Sequence, residues 1–315
     1  MSWASYAAKR LLVSTGLLAA ASVVIFSIVR LIPGDPVEIM LGQFGDDAAA
    51  DTLRAELGLD RPFYEQYFVW VTDVLTGDWG TSIHTGGSVR DLIFLRFPRS
   101  LQLAVMGIAI GLLVALPLGM YAAMNRNSRG DYASLFFSQF GVSIPSFWLG
   151  IMFILVFARY LGVLPASGHV PLTEDPIGNL RHALLPAVTI GIINAAIFTR
   201  YIRSEMLEEL GKDYVRTAHA FGHPNRWVVR TYVLKNAAPP VLTIVGIQFG
   251  YMLGGIVILE EVFTYPGLGQ TLLNGLLTRD YPVIQMALLI FVAAFIIVNL
   301  IVDLVYAYFD PKIKY

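Results

Sequence analysis

The chain alternates between long apolar runs and short polar ones. Crossing the hydrocarbon core takes about 20 mostly apolar residues in a helix, whose backbone polar groups then all bond internally. Six stretches meet that length: 11–31, 101–124, 134–161, 182–201, 237–259 and 283–308. The fourth is the weakest, because Pro186, Gly191 and Asn194 interrupt it. The first is too long for the apolar part of a cleaved signal, and no small-residue cleavage site closes it. It reads as a retained helix. The pattern predicts an all-α, six-span membrane protein.

Two polar segments are longer than connectors of roughly 2–8 residues. Residues 32–99 hold 11 acidic residues against Arg54, Arg61, Arg90, Arg96 and Arg99. Pro33-Gly34-Asp35-Pro36 marks a turn, and Asp47 can cap a helix ending near Leu57 and Gly58. A small external subdomain is expected, either a solvated cap or a docking surface. Residues 200–235 form the second segment. Within it Asp213 is placed as an N-cap, Gly222 as a stop, and Pro224 prevents continuation. Between them Tyr214, Val215, Ala218 and Phe221 make an apolar stripe. So short a helix is not stable alone. It needs a surface to lie on, either a groove in another protein or its own bundle and the membrane.

Charge sets the orientation. With the N-terminus inside, thirteen Lys and Arg fall on the cytoplasmic side, and the two short outer loops hold only Arg181 and Arg279. That matches the positive-inside bias and puts both termini in the cytoplasm. The organisation expected is residues 1–31 for the N-terminus and first span, 32–99 for the external subdomain, and 100–315 for a five-helix core carrying the cytoplasmic loop 200–235.

Composition supports lipid as the solvent. The 315 residues are 56% hydrophobic and only 14% charged, where soluble domains carry about a quarter. Net charge is −1, so no basic field points to nucleic acid. The absence of cysteine excludes Cys-based metal and redox sites. The five histidines show no metal-binding spacing; His219 and His223 are four apart without a third ligand. No phosphate-binding loop is present, since Gly211-Lys212 is followed by Asp213 and lacks the upstream glycine. No nucleophile, base and metal set suggests a membrane enzyme. No chain of intramembrane acids and histidines suggests a proton-driven transporter working alone.

Within the spans, Gly246, Gly250 and Gly254 recur every four residues, as do Gly107, Gly111, Ala115 and Gly119. Such stripes let helix backbones approach closely. Intramolecular packing is the simpler reading, a subunit interface or pathway wall the alternative. Asp303 lies near the inner end of the last span, as a paired or snorkelling group or a transport residue. Glu260 and Glu261 sit at the outer end of the fifth, within reach of water.

A set of ordered motifs runs nearly end to end: Leu31-Ile-Pro-Gly-Asp-Pro36, Gly77-Asp-Trp-Gly-Thr-Ser82, Ser143-Ile-Pro-Ser-Phe-Trp-Leu-Gly150, His182-Ala-Leu-Leu-Pro186, Asp213-Tyr-Val-Arg-Thr-Ala218, Val262-Phe-Thr-Tyr-Pro-Gly-Leu-Gly269, Arg279-Asp-Tyr-Pro282, Asp303-Leu-Val-Tyr306 and Asp310-Pro311. In this order they resemble the membrane permeases of ABC peptide importers, the dipeptide, oligopeptide and nickel group, and its B-type subunit. The family's ATPase-contacting signature opens Glu-Ala-Ala with a glycine six residues after the Glu. Here Arg216, Thr217 and Ala218 take the first places and Gly222 the last, so two opening residues depart from it.

The resemblance implies the type I importer permease fold and a complex with a homologous second permease, two ATPase subunits and an external solute-binding protein. ATP and magnesium would sit on the ATPase chains, with no cofactor on this one. Asp213, Tyr214, Val215, Arg216, Thr217, Ala218, Phe221 and Gly222 would form the coupling helix. Cargo in such a family covers peptides, glutathione, nickel complexes and some sugars.

Overall fold

The computed structural model describes residues 3–31 and 60–309, with Val37, Ala48, Asp51 and Thr52 besides. Most of the expected helix from Asp47 to Leu57, the 33–36 turn and Asp310-Pro311 lie outside the described residues.

The described chain is helical. The long helix α1 (Trp3–Leu31) is followed by α2 (Phe63–Thr76) and α3 (Val89–Met124). Next come α4 (Arg129–Ser143) and α5 (Ser146–Tyr160). After them stand α6 (Pro176–Leu210), the short α7 (Asp213–Ala220) and α8 (Asn225–Val262). The fold closes with α9 (Leu268–Thr278) and α10 (Tyr281–Phe309).

Five of these, α1, α3, α6, α8 and α10, are each long and apolar enough to cross a membrane. The third expected span is not one straight rod. It bends by 100° between α4 and α5. Pro145 is the cause. Its ring disfavours helical geometry in the preceding residue, and Ile144 is extended, at φ −81° and ψ 126°. The pair still joins opposite ends of the bundle. At the α4 start Asp131 pairs with Arg203, near the C-terminal end of α6. Beyond α5, Gly168 N–H donates to Phe263 O, past the far end of α8. Counted as one span in two pieces, the bent pair brings the candidate crossings to six.

The expected weak span is the best buried of the five single-helix spans. α6 runs unbroken through Pro186, and it begins where Asp175 accepts from Ile177 N–H and Gly178 N–H. Polar and helix-disfavouring residues lower its apparent hydropathy because α6 faces protein rather than lipid. Its main neighbour is α3, and the contact explains the α3 glycine stripe. A Cβ on Gly107 would stand 2.4 Å from Ile190 Cγ2, and one on Gly119 2.8 Å from Ile202 Cγ2. Gly191 returns the fit against Ile110 at 2.5 Å. Without a hydrophobic drive between helices in lipid, such close approach is the main source of adhesion.

The residues 200–235 contain the last turns of α6, all of α7 and the first turns of α8. Only 211–224 lie outside long helices. Two apolar clusters fill the bundle. One, toward the α2 end, gathers Leu103, Leu185, Phe249, Leu268 and Ile284. The other, toward the α7 end, gathers Phe198, Met206, Val215, Ala218 and Val233.

Candidate functional site

Three places carry polar or exposed groups that packing alone does not require: α7, the opposite end of the bundle, and a cavity between α5, α6 and α8.

At α7, the sequence assigns the N-cap to Asp213. In the structure Lys212 holds that position, without a capping bond, and Asp213 opens the first turn. Asp213 there complements the helix dipole and pairs with Arg216 at 3.3 Å. Gly222 does end the element. Its φ is +82°, a left-handed conformation that glycine takes without steric cost.

The stripe divides. Val215 and Ala218 are buried against the chain's own α6 and α8. Their surface is therefore intramolecular. Phe221 points away, 79% exposed, and Arg216, Thr217 and His219 are exposed with it. Tyr214 does something the periodicity did not indicate. Its hydroxyl donates to Glu209, near the end of α6, and accepts from Asn236 Nδ2 of α8 at 3.1 Å. Lys212 Nζ also bonds Glu209. Burial first, then the Glu209 carboxylate, raises the Tyr214 phenol above its ordinary range; the same carboxylate raises Lys212. One buried carboxylate thus joins the end of α6, the linker and α7, and Tyr214 extends the joint to α8. Glu209 was not singled out from sequence, because only the tertiary packing buries it.

At the other end, three motifs that look unrelated in sequence meet. Asp280, buried, accepts from Ser82 Oγ at 2.5 Å, Ile83 N–H at 3.2 Å and His84 N–H at 3.3 Å. This closes the Gly77–Ser82 segment onto the α9–α10 turn. Glu260 is fully buried, contrary to the expectation that it reaches water. It accepts from Ser100 Oγ at 2.5 Å and Gln270 N–H at 2.8 Å. A Cβ on Gly267 would lie 2.1 Å from its carboxylate, so only glycine lets this backbone wrap the acid. Arg96 and Arg99 both donate to Pro266 O at 3.2 Å.

Beside them Gln102 donates to Asn179 at 2.5 Å, and Asn179 to Val170 O at 2.7 Å. His169 packs edge-on against Tyr265 with ring centroids 5.2 Å apart. Burial, with Arg99, His182 and Arg96 close by, pushes the His169 imidazole down to about 4. Burial pushes the Tyr265 phenol up to about 12.

The second glycine stripe also divides. Gly246 packs on Val302 and Gly250 on Phe295, both of α10. A Cβ on Gly254 would meet nothing within 4 Å. Nearby, a cavity of about 350 Å³ opens among Ser146, Asn194, Gln248, Tyr251 and Gly255. Asp303 is a paired residue, bonded to Arg10 of α1 at 2.7 Å. Among the described residues no group of three or more His, Asp or Glu is placed to hold a metal ion.

Comparison with known proteins agrees with this architecture. The family described as "Binding-protein-dependent transport system inner membrane component" matches residues 115–315, and its N-terminal counterpart matches residues 4–104. A dipeptide transport system permease protein, DppB, from Alkalihalophilus pseudofirmus is 37% identical over 332 residues, covering 99% of each chain. A glutathione transport system permease protein, GsiC, from Escherichia coli is 38% identical over 311 residues, again 99% of each. Among solved structures, an inward-facing conformation of the MetNI methionine ABC transporter is similar in fold, with TM-score 0.56 at 19% identity over 70% of this chain and 96% of that one. With two family matches spanning most of its length and relatives aligned end to end, this multi-pass membrane chain belongs to the inner membrane components of binding-protein-dependent transport systems.

Proposed function

We propose that the chain is the pathway-forming permease of an ATP-driven peptide importer. The peptide class is supported by the relatives that transport dipeptides and glutathione. Both termini and α7 would face the cytoplasm, as the Lys and Arg distribution favours, which puts the clamped end outside, where a solute-binding protein would deliver cargo. ATP and magnesium belong to two separate ATPase chains, and a homologous permease completes the bundle.

The observation that carries the mechanism is the joint at α7. An exposed aromatic, Phe221, projects from a short helical segment whose buried side is bonded through Glu209 and Tyr214 to two spans. A force applied to the exposed face reaches α6 and α8 without passing through a flexible loop. Closure of an ATPase dimer around that face would shift the bundle between inward-open and outward-open arrangements. The size of the shift follows from the partners' differential affinity for the two states.

The test is Phe221→Asp in the assembled importer. Expected is loss of ATPase binding and of uptake by at least tenfold, with membrane insertion intact. Normal uptake and normal ATPase stimulation in this variant would remove α7 from the coupling role.

A further inference from the structure

We infer that the cavity between α5, α6 and α8 is a binding site for the peptide group of a solute in transit, built on the carboxamides of Asn194 and Gln248. The inference rests on the proposed role as a peptide importer and extends it to a place and a chemistry.

Position comes first. Asn194 is the 19th of the 35 residues of α6. At about 1.5 Å per residue it lies roughly 25 Å from either end, at mid-membrane depth. Gln248 of α8 stands beside it, its Nε2 donating to Asn194 Oδ1 at 3.4 Å. Asn194 in turn donates to Ile190 O at 2.9 Å. The Gln248 carbonyl oxygen has no hydrogen-bond partner among the described residues. Gln248 is half-buried and lines the 350 Å³ cavity, so a polar group that enters the cavity can donate to this oxygen.

The cavity is shaped for access. The bend at Pro145 brings Ser146 to its edge. Gly255 leaves open space beside α8, and Tyr251 is 74% exposed although it sits well inside a span. Lipid does not explain this set, because an amide, a hydroxyl and a phenol gather on one wall among isoleucines. Nor does charge recognition, because the lining holds no Asp, Glu, Lys, Arg or His. A carboxamide offers one acceptor and two donors. Those match the N–H and C=O of a peptide bond and ignore the side chains around it. Such a site holds any short peptide weakly at the middle of its path, as a pathway that must also release requires.

The chain has no native cysteine, so single cysteines report cleanly. Gln248→Cys and Leu113→Cys would be compared in the assembled importer with a charged methanethiosulfonate. Leu113 is 73% exposed on α3 and serves as the outward-facing control. Expected is modification of Gln248→Cys at least tenfold faster than of Leu113→Cys, slowed severalfold by trialanine during ATP turnover. Gln248→Leu should lower trialanine uptake about tenfold, while Gln248→Asn, which keeps the carboxamide, stays within about threefold of the unsubstituted chain.

Equal modification rates would overturn the inference, since the cavity would then be closed to water. So would fast modification with undiminished uptake by Gln248→Leu. If Gln248→Leu fails to assemble, protection of Gln248→Cys by trialanine supports the site and its absence overturns it. Absence of ATP-dependent trialanine uptake by the unsubstituted importer would instead overturn the peptide assignment on which the inference rests.

Discussion

At the α2 end, buried polar groups collect bonds from segments 160 to 198 residues apart, Ser100 with Glu260 and Ser82 with Asp280 among them. At the α7 end the bonds around Glu209 span three and five residues, and the next link, Tyr214 to Asn236, spans 22. The first arrangement ties distant parts of the fold to one another. The second ties a short helix to the two spans beside it and leaves its far face bare. A region stapled by long-range bonds resists opening; a region stapled locally moves as a unit. The proposed division of labour follows, with a fixed outer platform and a movable inner lever.

The sharpest way to break this comparison is at Glu260. Glu260→Ala strands Ser100 and the Gln270 N–H without their acceptor. Unsatisfied buried groups cost about 1–3 kcal/mol each, so a loss of roughly 3 kcal/mol is expected in detergent unfolding. A loss below about 1 kcal/mol would show that the α2 end is not held by this carboxylate. Asp280→Ala should cost less, about 2 kcal/mol, because only Ser82 is buried among its donors. Its mark is local: hydrogen exchange over residues 77–88 accelerates while α7 is unchanged.

Tyr214→Phe probes the lever. Losing one hydroxyl contact costs about 1 kcal/mol, yet coupling should suffer more than stability. The expected outcome is ATPase activity that no longer responds to cargo, in a chain that unfolds nearly normally. Equal losses of both would mean that α7 is a structural strut only.

Acid provides a milder test of the α2 end. His169 has a folded-state pKa of about 4, below its ordinary 6.5. The folded state therefore keeps it neutral where the unfolded chain binds a proton. Its contribution is fully present above about pH 6.5 and is lost as pH falls toward 4. Exchange of residues 161–175 should accelerate across that window, and His169→Phe should remove the dependence.

The smallest effect belongs to Asp303. Its bridge to Arg10 is partly exposed, at 33% and 43%, and such pairs contribute about 0–1 kcal/mol. Asp303→Asn should leave uptake and unfolding nearly unchanged; a large uptake defect would return Asp303 to the transport path.

Much of this is readable in the sequence. Five apolar runs became single helices, and Gly222 stopped α7 as its residue type requires. Other features escaped. Pro145 was present in the sequence, yet hydropathy averages over it and cannot show a 100° turn. Pro186 and Asn194 looked like weaknesses because hydropathy prices them against lipid, whereas both are buried within the bundle. The apolar stripe of α7 predicted a surface but could not say whose. The motifs Gly77–Ser82 and Arg279–Pro282 looked separate because they meet only through Asp280.

By itself, then, the sequence determined the long apolar helices and the existence of a short helix between two of them. Those follow from local composition, since the cost of exposing backbone or charge to hydrocarbon is paid residue by residue. The tertiary structure alone decided which glycines touch protein and which face open space, that Glu209 and Glu260 are buried, and that Asn194 meets Gln248. Each of these depends on atoms brought together from distant parts of the chain, and no window of sequence contains both partners.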